Sequence, residues 1–249
     1  MTLYTNHSCP YAHRAHIALK ELGLSCDEVF IDLEKPREPW YLEVNPRGLV
    51  PSLVLHNSPL ATPPHDTVTL TESAIVAQFL ADLYPSHLLP ASNSPEGALR
   101  RARIAFFTDT YDSKVAPFLW KSLLADSEAD KEARCVEWAA ALKKEIEPLL
   151  SDAKPFFGGS EKITMAEVII APFILRADAY VRHGLLPASL GKELDSLPNF
   201  SRWAQAITKA ESVLEIWEED ITMKQSKSKL AQMQEKKAKE ALLKRVGGT

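Results

Sequence analysis

The chain has little with which to build covalent or metal cross-links. Its three cysteines, Cys9, Cys26 and Cys135, are spread through 249 residues, a pattern of neither a disulfide framework nor a zinc site. No metal is therefore expected. No apolar run is long enough to span a membrane. The start has no basic region followed by a long apolar stretch, so no secretory leader is expected. A formal net charge of −4 supplies no positive excess for a nucleic acid. These absences point to a reducing compartment, and a cytoplasmic location is the expectation. What is present is ordinary for a globular protein: 45% hydrophobic and 25% charged residues, in a length that suits one large or two small domains.

A second absence concerns chemistry. Residues 1–23, MTLYTNHSCPYAHRAHIALKELG, read as a short strand at 3–5, a polar turn and a helix at 12–22. Pro10 suits a first helical position, since its φ is already helical and its missing N–H costs nothing there. Cys9 then falls at or beside the N-cap. Unpaired backbone N–H groups and the positive end of the helix dipole favour a thiolate at that place. A lowered pKa and a nucleophilic sulfur are expected. The alternative is a buried structural cysteine, but a residue that follows a polar turn and precedes Pro favours the reactive reading. A dithiol redox protein would carry C-x-x-C, and here the fourth residue is Ala12. Cys9 cannot close a local disulfide, so a second thiol must come from outside. Glutathione is the obvious external thiol.

Along the chain, residues 1–84 alternate strand and helix signals. Helix 12–22 has apolar Ala15, Ala18, Leu19 and Leu22 at helical spacing and a stop at Gly23. Strands are predicted at 28–33, from about Pro51 to Leu55, and at 67–70, with a helix opening at Thr71 and running to about 84. Three prolines leave room for only a short helix between Pro39 and Val44, and residues 56–66 form a polar, proline-rich loop. Residues 85–95 are a linker by composition. Strand signals then stop, and helices are predicted over 96–125, 129–152, 164–183, 199–209 and 211–221. Thr164 and Glu167 fit a capping box, flanked by Ile163 and Val168 as a hydrophobic staple.

The expected fold class is thus α+β in two domains: 1–84 α/β (βαβ then ββα), linker 85–95, an all-α bundle over 96–222 and a basic extension over 223–249. From Lys224 onward eight Lys or Arg stand against two Glu, a charge of +6 that leaves −10 for the rest. An arm for an acidic surface is one reading. A solvated, partly frayed helix, with a thin stripe of Leu230, Met233, Ala241 and Leu242, is the preferred one. The extension is expected to be dispensable.

Three motifs carry a family resemblance: S-C-P-Y at 8–11, N-P-R-G-L-V-P at 45–51 and T-E-S at 71–73. In this order and spacing, before a proline-rich linker and a helical half, the chain resembles a cysteine-type glutathione transferase, closest to the omega class and its fungal relatives. The resemblance covers residues 1 to about 221. It implies a thioredoxin-like domain followed by a helical bundle, and a cis proline at Pro51. It implies that Cys9 is catalytic and that Tyr11, Arg37, Val50, Pro51, Glu72 and Ser73 join it around glutathione. Val50 would pair through its backbone with the cysteinyl group. Ser73 would hold the γ-glutamyl carboxylate and Glu72 its ammonium, while Arg37 would face the glycyl carboxylate. Tyr111 and Arg176 would line the pocket for the second substrate. A surface salt bridge is an equal reading for Arg176, and core packing is the preferred reading for Trp120.

The expected activity is glutathione-dependent thiol transfer or reduction through a mixed disulfide at Cys9, with dehydroascorbate or small disulfides as typical acceptors. One alternative is a conjugating transferase that joins glutathione to a small electrophile, as fungal biosynthetic relatives do, with Ser8, Asn6 or Tyr11 serving the sulfur. Another is a non-enzymatic regulatory or interaction module. Glutathione is the expected co-substrate and a homodimer the expected assembly.

Overall fold

The computed structural model describes residues 1–59, 61 and 66–246. Part of the proline-rich loop predicted at 56–66, and the last three residues of the basic extension, lie outside the described residues. So do the side chains at the stripe positions Ala241 and Leu242.

The N-terminal part builds one four-stranded sheet. Strand β1 (Thr2–Thr5) leads into helix α1 (Pro10–Glu21), β2 (Asp27–Phe30) and the short helix α2 (Pro39–Val44). Then come β3 (Ser52–His56), β4 (Thr67–Thr71) and helix α3 (Ser73–Leu83). The strand order is β2-β1-β3-β4. β1 pairs parallel with β2 and antiparallel with β3, and β3 pairs antiparallel with β4. A parallel pair needs a crossover, and α1 is that crossover. It closes on a left-handed glycine: Gly23 has φ +64°, with Gly23 N–H on Lys20 O at 3.0 Å and Leu24 N–H on Leu19 O at 2.9 Å. These two bonds satisfy carbonyls that the helix end would leave bare.

The helical part follows: α4 (Pro95–Thr110), α5 (Pro117–Leu123), α6 (Glu128–Ala141), α7 (Met165–Arg182), α8 (Ala188–Asp195), α9 (Pro198–Ile207), α10 (Glu211–Leu214) and α11 (Glu219–Val246). Helix α7 is its axis, with nearly every residue buried. The capping box forms as read. The Glu167 carboxylate accepts from Thr164 N–H at 2.8 Å, and it also receives Phe157 N–H at 2.8 Å and Trp203 Nε1–H at 2.6 Å. Burial raises the pKa of this carboxyl, and those four donors, the Thr164 hydroxyl included, oppose the rise.

Three elements depart from the sequence reading. Residues 96–125 are not one helix. A π-helical turn at Tyr111–Val115 separates α4 from α5, because Pro117 has no N–H to continue the ladder. Helix α8 lies in a stretch read as irregular; its eight residues are too few for a periodic signal. The basic extension is helical, as read, but it is continuous with the residues before it: it is the body of α11, which begins at Glu219 and packs on α7.

The start of α11 is pinned by Glu219. Arg182 donates to it through Nη1 at 2.5 Å and Nη2 at 2.8 Å, and His183 Nε2 lies 2.8 Å from it. Hydrogen bonds from Arg182 hold this carboxyl down at about 2. Farther along, Leu230 is buried, the Tyr180 and Ser226 hydroxyls are 3.0 Å apart, and Lys237 reaches Asp126 at 2.5 Å.

Candidate active site

Cys9 is the N-cap of α1, in an extended conformation (φ −80°, ψ 120°), with Pro10 as the first helical residue. The turn before it is organised by Asn6. The Asn6 carbonyl accepts from Cys9 N–H at 2.9 Å, its Oδ1 accepts from Ser8 N–H at 3.1 Å, and its amide donates to Ile31 O at 2.9 Å. Asn6 is therefore committed to holding the turn. Cys9 is a free, half-buried cysteine, and its sulfur lies 4.0 Å from the Val50 carbonyl.

Across from Cys9 stands the Gly48–Pro51 corner. The Val50–Pro51 peptide is cis, as the resemblance implied. The corner is braced from behind. The Leu49 carbonyl accepts from the Tyr41 hydroxyl at 2.5 Å and from the Asn45 amide at 2.9 Å. Gly48 has φ +63°, and a Cβ there would meet Arg37 Cγ at 2.9 Å. Only glycine fits both the conformation and the contact.

The third side is the start of α3. Ser73 is its first residue and is buried. Its hydroxyl accepts from Arg14 Nη1 at 3.2 Å, which leaves the Ser73 O–H to donate into the cleft. Glu72 precedes it at φ +69°, a conformation rare for a side-chain-bearing residue and found at binding sites. Its carboxylate pairs with Arg47.

These pieces line one cleft of about 790 Å³. Cys9, Tyr11, Arg37, Val50, Pro51, Glu72, Ser73 and Arg176 all face it. Tyr111 does not. It is 2% exposed and sits in the core, where burial raises its pKa. Trp120, read as core, lines the cleft instead. Nine positions apart, the two side chains point different ways, and helical spacing alone does not say which of them meets the core; Tyr111 does, with its ring centre 6.5 Å from that of Phe173.

Arg37 serves the cleft differently from the expectation. Its Nε donates to Gly48 O at 2.9 Å and its Nη1 to Asp32 O at 2.8 Å and Lys35 O at 2.6 Å. It ties the loop after β2 to the Gly48 corner, and Nη2 is what remains for a ligand. Arg176 is no surface salt bridge. It is 1% exposed and straps the Cys9 turn, its Nη2 donating to Ser8 O at 3.0 Å and His7 O at 3.3 Å. Its Nη1 meets Pro172 O at 3.0 Å and His13 Nδ1 at 3.2 Å. Arg can only donate, so His13 Nδ1 accepts and Nε2–H donates to Val213 O at 2.9 Å. Burial pushes the Arg176 guanidinium down to about 10, opposed by Tyr180 and Cys9. It stays charged at neutral pH, behind the loop that carries the thiol.

Arg14 was missed from sequence. It is buried on α1, with Nε on Ile169 O at 2.8 Å and Nη2 on Asp112 at 3.3 Å. Its guanidinium carbon lies 4.9 Å from the Phe173 ring centre and 5.3 Å from that of Tyr11. One side chain thus ties the Ser73 hydroxyl to α7 and to the π turn. Its signal was weak: a cation one residue before Ala15, outside the apolar positions 15, 18, 19 and 22.

Residues 8–83 match the family model of the glutathione S-transferase N-terminal domain. Across the whole chain, the glutathione S-transferase omega-1 of Sus scrofa is 28% identical over 224 residues, 88% of this chain and 82% of that one. The crystal structure of glutathione transferase Omega 1C from Trametes versicolor superposes with a TM-score of 0.70 at 29% identity, covering 92% of this chain and 96% of that one. That of Omega 2S from the same organism, in complex with 2,4-dihydroxybenzophenone, gives 0.69 at 27% identity, with 91% and 97% covered. The chain is an omega-like member of the glutathione S-transferase superfamily.

Proposed function

We propose that this glutathione S-transferase works by thiol transfer at Cys9. The observation that carries the reading is the position of the sulfur: half-buried at the N-terminus of α1, facing the Val50 carbonyl at 4.0 Å, in the cleft whose other walls are the cis-Pro51 corner and the α3 N-terminus. Cys26 and Cys135 are not among the residues lining this cleft. Glutathione is the co-substrate. Its cysteinyl group would pair with the Val50 backbone. Its γ-glutamyl carboxylate would meet the Ser73 hydroxyl and the free N–H groups of the first turn of α3, and Glu72 its ammonium. Arg37 would offer Nη2 to the glycyl end.

The Cys9 thiolate attacks the glutathionyl sulfur of a mixed disulfide, and the other thiolate leaves and takes a proton. A second glutathione thiolate then attacks the Cys9-bound sulfur. Glutathione disulfide departs and Cys9 is restored. The test is intact mass after exposure to glutathione disulfide. One glutathionyl group should be found, on the peptide containing Cys9. A chain that stays unmodified there contradicts the reading.

Conjugation of an electrophile is the second reading, and one observation favours it: Ser8 and Tyr11, both hydroxyl-bearing, line the same cleft. Either offers a hydrogen bond to a glutathione thiolate.

We also infer a homodimer. Ile75 on α3, and Leu99 and Phe106 on α4, are more than half exposed. The Arg101–Asp82 pair at 2.6 Å joins the two helices, and the exposed apolar side chains on both suit an interface. Three free thiols suit a reducing, cytoplasmic setting. No helix among the described residues is long and apolar enough to cross a membrane.

A further inference from the structure

Helix α11 forms one wall of the cleft. Gln225, Ser226, Lys229, Gln232, Met233 and Lys236 all line it. The wall faces aromatic neighbours. Trp120 and Phe173 border the same space, and Tyr11 meets Phe173 edge-on at 5.3 Å.

The charges in the cleft are divided by side. Its lining carboxylates, Glu34 and Glu72, both belong to the N-terminal part, and Glu72 is already paired with Arg47. The helical wall contributes lysines and amides and no carboxylate. Elsewhere on α11 two lysines find anions: Lys237 meets Asp126, and Lys239 meets Glu235 at 2.7 Å. Lys229 differs. Among the described residues no carboxylate pairs with it, and its ammonium rests 5.3 Å from the Trp120 ring centre. That contact holds the cation at the cleft edge, over an aromatic face.

We propose that the second substrate is a planar aromatic compound carrying an acid group, with its ring against Trp120 and Phe173 and its acid on Lys229. This rests on the reading of the cleft as the glutathione site. A ring meets polarisable faces on this wall, and an acid group there finds a cation with no competing carboxylate beside it. The basic extension then sets substrate choice, as a wall that this chain adds over its own cleft.

The test compares two inert conjugates that differ only in charge, S-(4-carboxybenzyl)glutathione and S-(4-carbamoylbenzyl)glutathione. Binding of each to the full chain is measured by calorimetry. The acid should bind about threefold to tenfold more tightly than the amide, the range of one charge-assisted contact at a partly exposed site. Lys229→Gln should bring the two affinities together, while Lys227→Gln, one turn's edge away and outside the lining, should leave the ratio as it was. Added salt should shrink the acid's advantage. Equal affinities in the unaltered chain would overturn the proposal, as would a ratio that survives Lys229→Gln. Equal weakening of both conjugates and of glutathione itself would assign Lys229 to glutathione and overturn it too. Binding of neither conjugate would contradict the glutathione reading together with this one. Binding needs no transfer step, so a failed mass test at Cys9 leaves this outcome separately readable.

Discussion

His13 and His16 lie on the side of α1 pressed between the sheet and the helical part, and both are held neutral. Burial, with Arg176 beside it, drives His13 well below the usual histidine range. Burial takes His16 down to about 4, with Glu28 opposing and His7 assisting; its Nε2 sits 2.7 Å from the Thr5 hydroxyl. The unfolded chain binds a proton at each imidazole near pH 6.5 while the folded chain refuses it until far lower pH. Between those values the unfolded state holds more protons, so stability falls as pH falls from about 6.5 to about 4. For His16 alone the loss is on the order of 3 kcal/mol. The raised carboxyl of Glu167 acts in the opposite direction, so the informative measurement is a difference. Denaturant midpoints followed from pH 7 to pH 4.5 should fall less steeply in His16→Gln than in the parent. Parallel curves would contradict the assignment. Periodicity could not show these residues. It marked Ala15, Ala18 and Leu19 as one apolar face and implied a solvated one opposite, whereas every residue from Ala12 to Leu19 is buried. Cys9 and Pro10 were legible because a cap and a first-turn proline are local signals. Arg14 and Arg176 were not, because a buried cation is explained only by partners such as Ile169 O and Ser8 O, 155 and 168 residues away in sequence.

At the scale of elements, α11 gives the basic extension a place on the cleft wall that its sequence did not show. Its sequence reads as a thin stripe in a basic helix, and that much is true of its exposed turns. The sequence could not show that Tyr180 waits on α7 for Ser226, or that Leu124 O and Asp126 wait after α5 for Lys237. Among the described residues beyond Met223, one apolar side chain, Leu230, is deeply buried. Truncation after Met223 should therefore cost about 2 to 3 kcal/mol and leave a folded chain, since Met223 and the Glu219 anchor remain. It should also open one wall of the cleft. A small disulfide should still be reduced, while KM for an aromatic disulfide should rise several-fold. The same KM for both proteins would return the extension to the role of a bystander. The π turn teaches a related lesson. Pro117 was visible, but a proline announces a break without giving its geometry, and nothing local said which of Tyr111 and Trp120 would meet the core.

At the scale of the whole molecule, alternating strand and helix signals followed by helices alone gave the α+β class, and the order of the three short motifs foretold which segments would meet. Each motif sits where one backbone feature is demanded: a helix N-cap at Cys9, a glycine with positive φ at Gly48 before the cis peptide, and a strained N-cap at Glu72. Assembly is a further step. If the α3–α4 face is the dimer contact, Phe106→Glu should shift the sedimenting species from dimer to monomer, by placing a charge within an apolar interface. A parent chain that sediments as a monomer at micromolar concentration would contradict the dimer. The account as a whole turns on one sulfur. The most direct measurement sets the parent and Cys9→Ser side by side for glutathione binding, for reduction of a small disulfide and for conjugation of a chlorinated aromatic. Serine cannot form a mixed disulfide, but its hydroxyl can still donate to a glutathione thiolate. The account predicts that reduction is lost, glutathione binding is kept and conjugation persists or rises. A Cys9→Ser chain that reduces the disulfide as the parent does would contradict it.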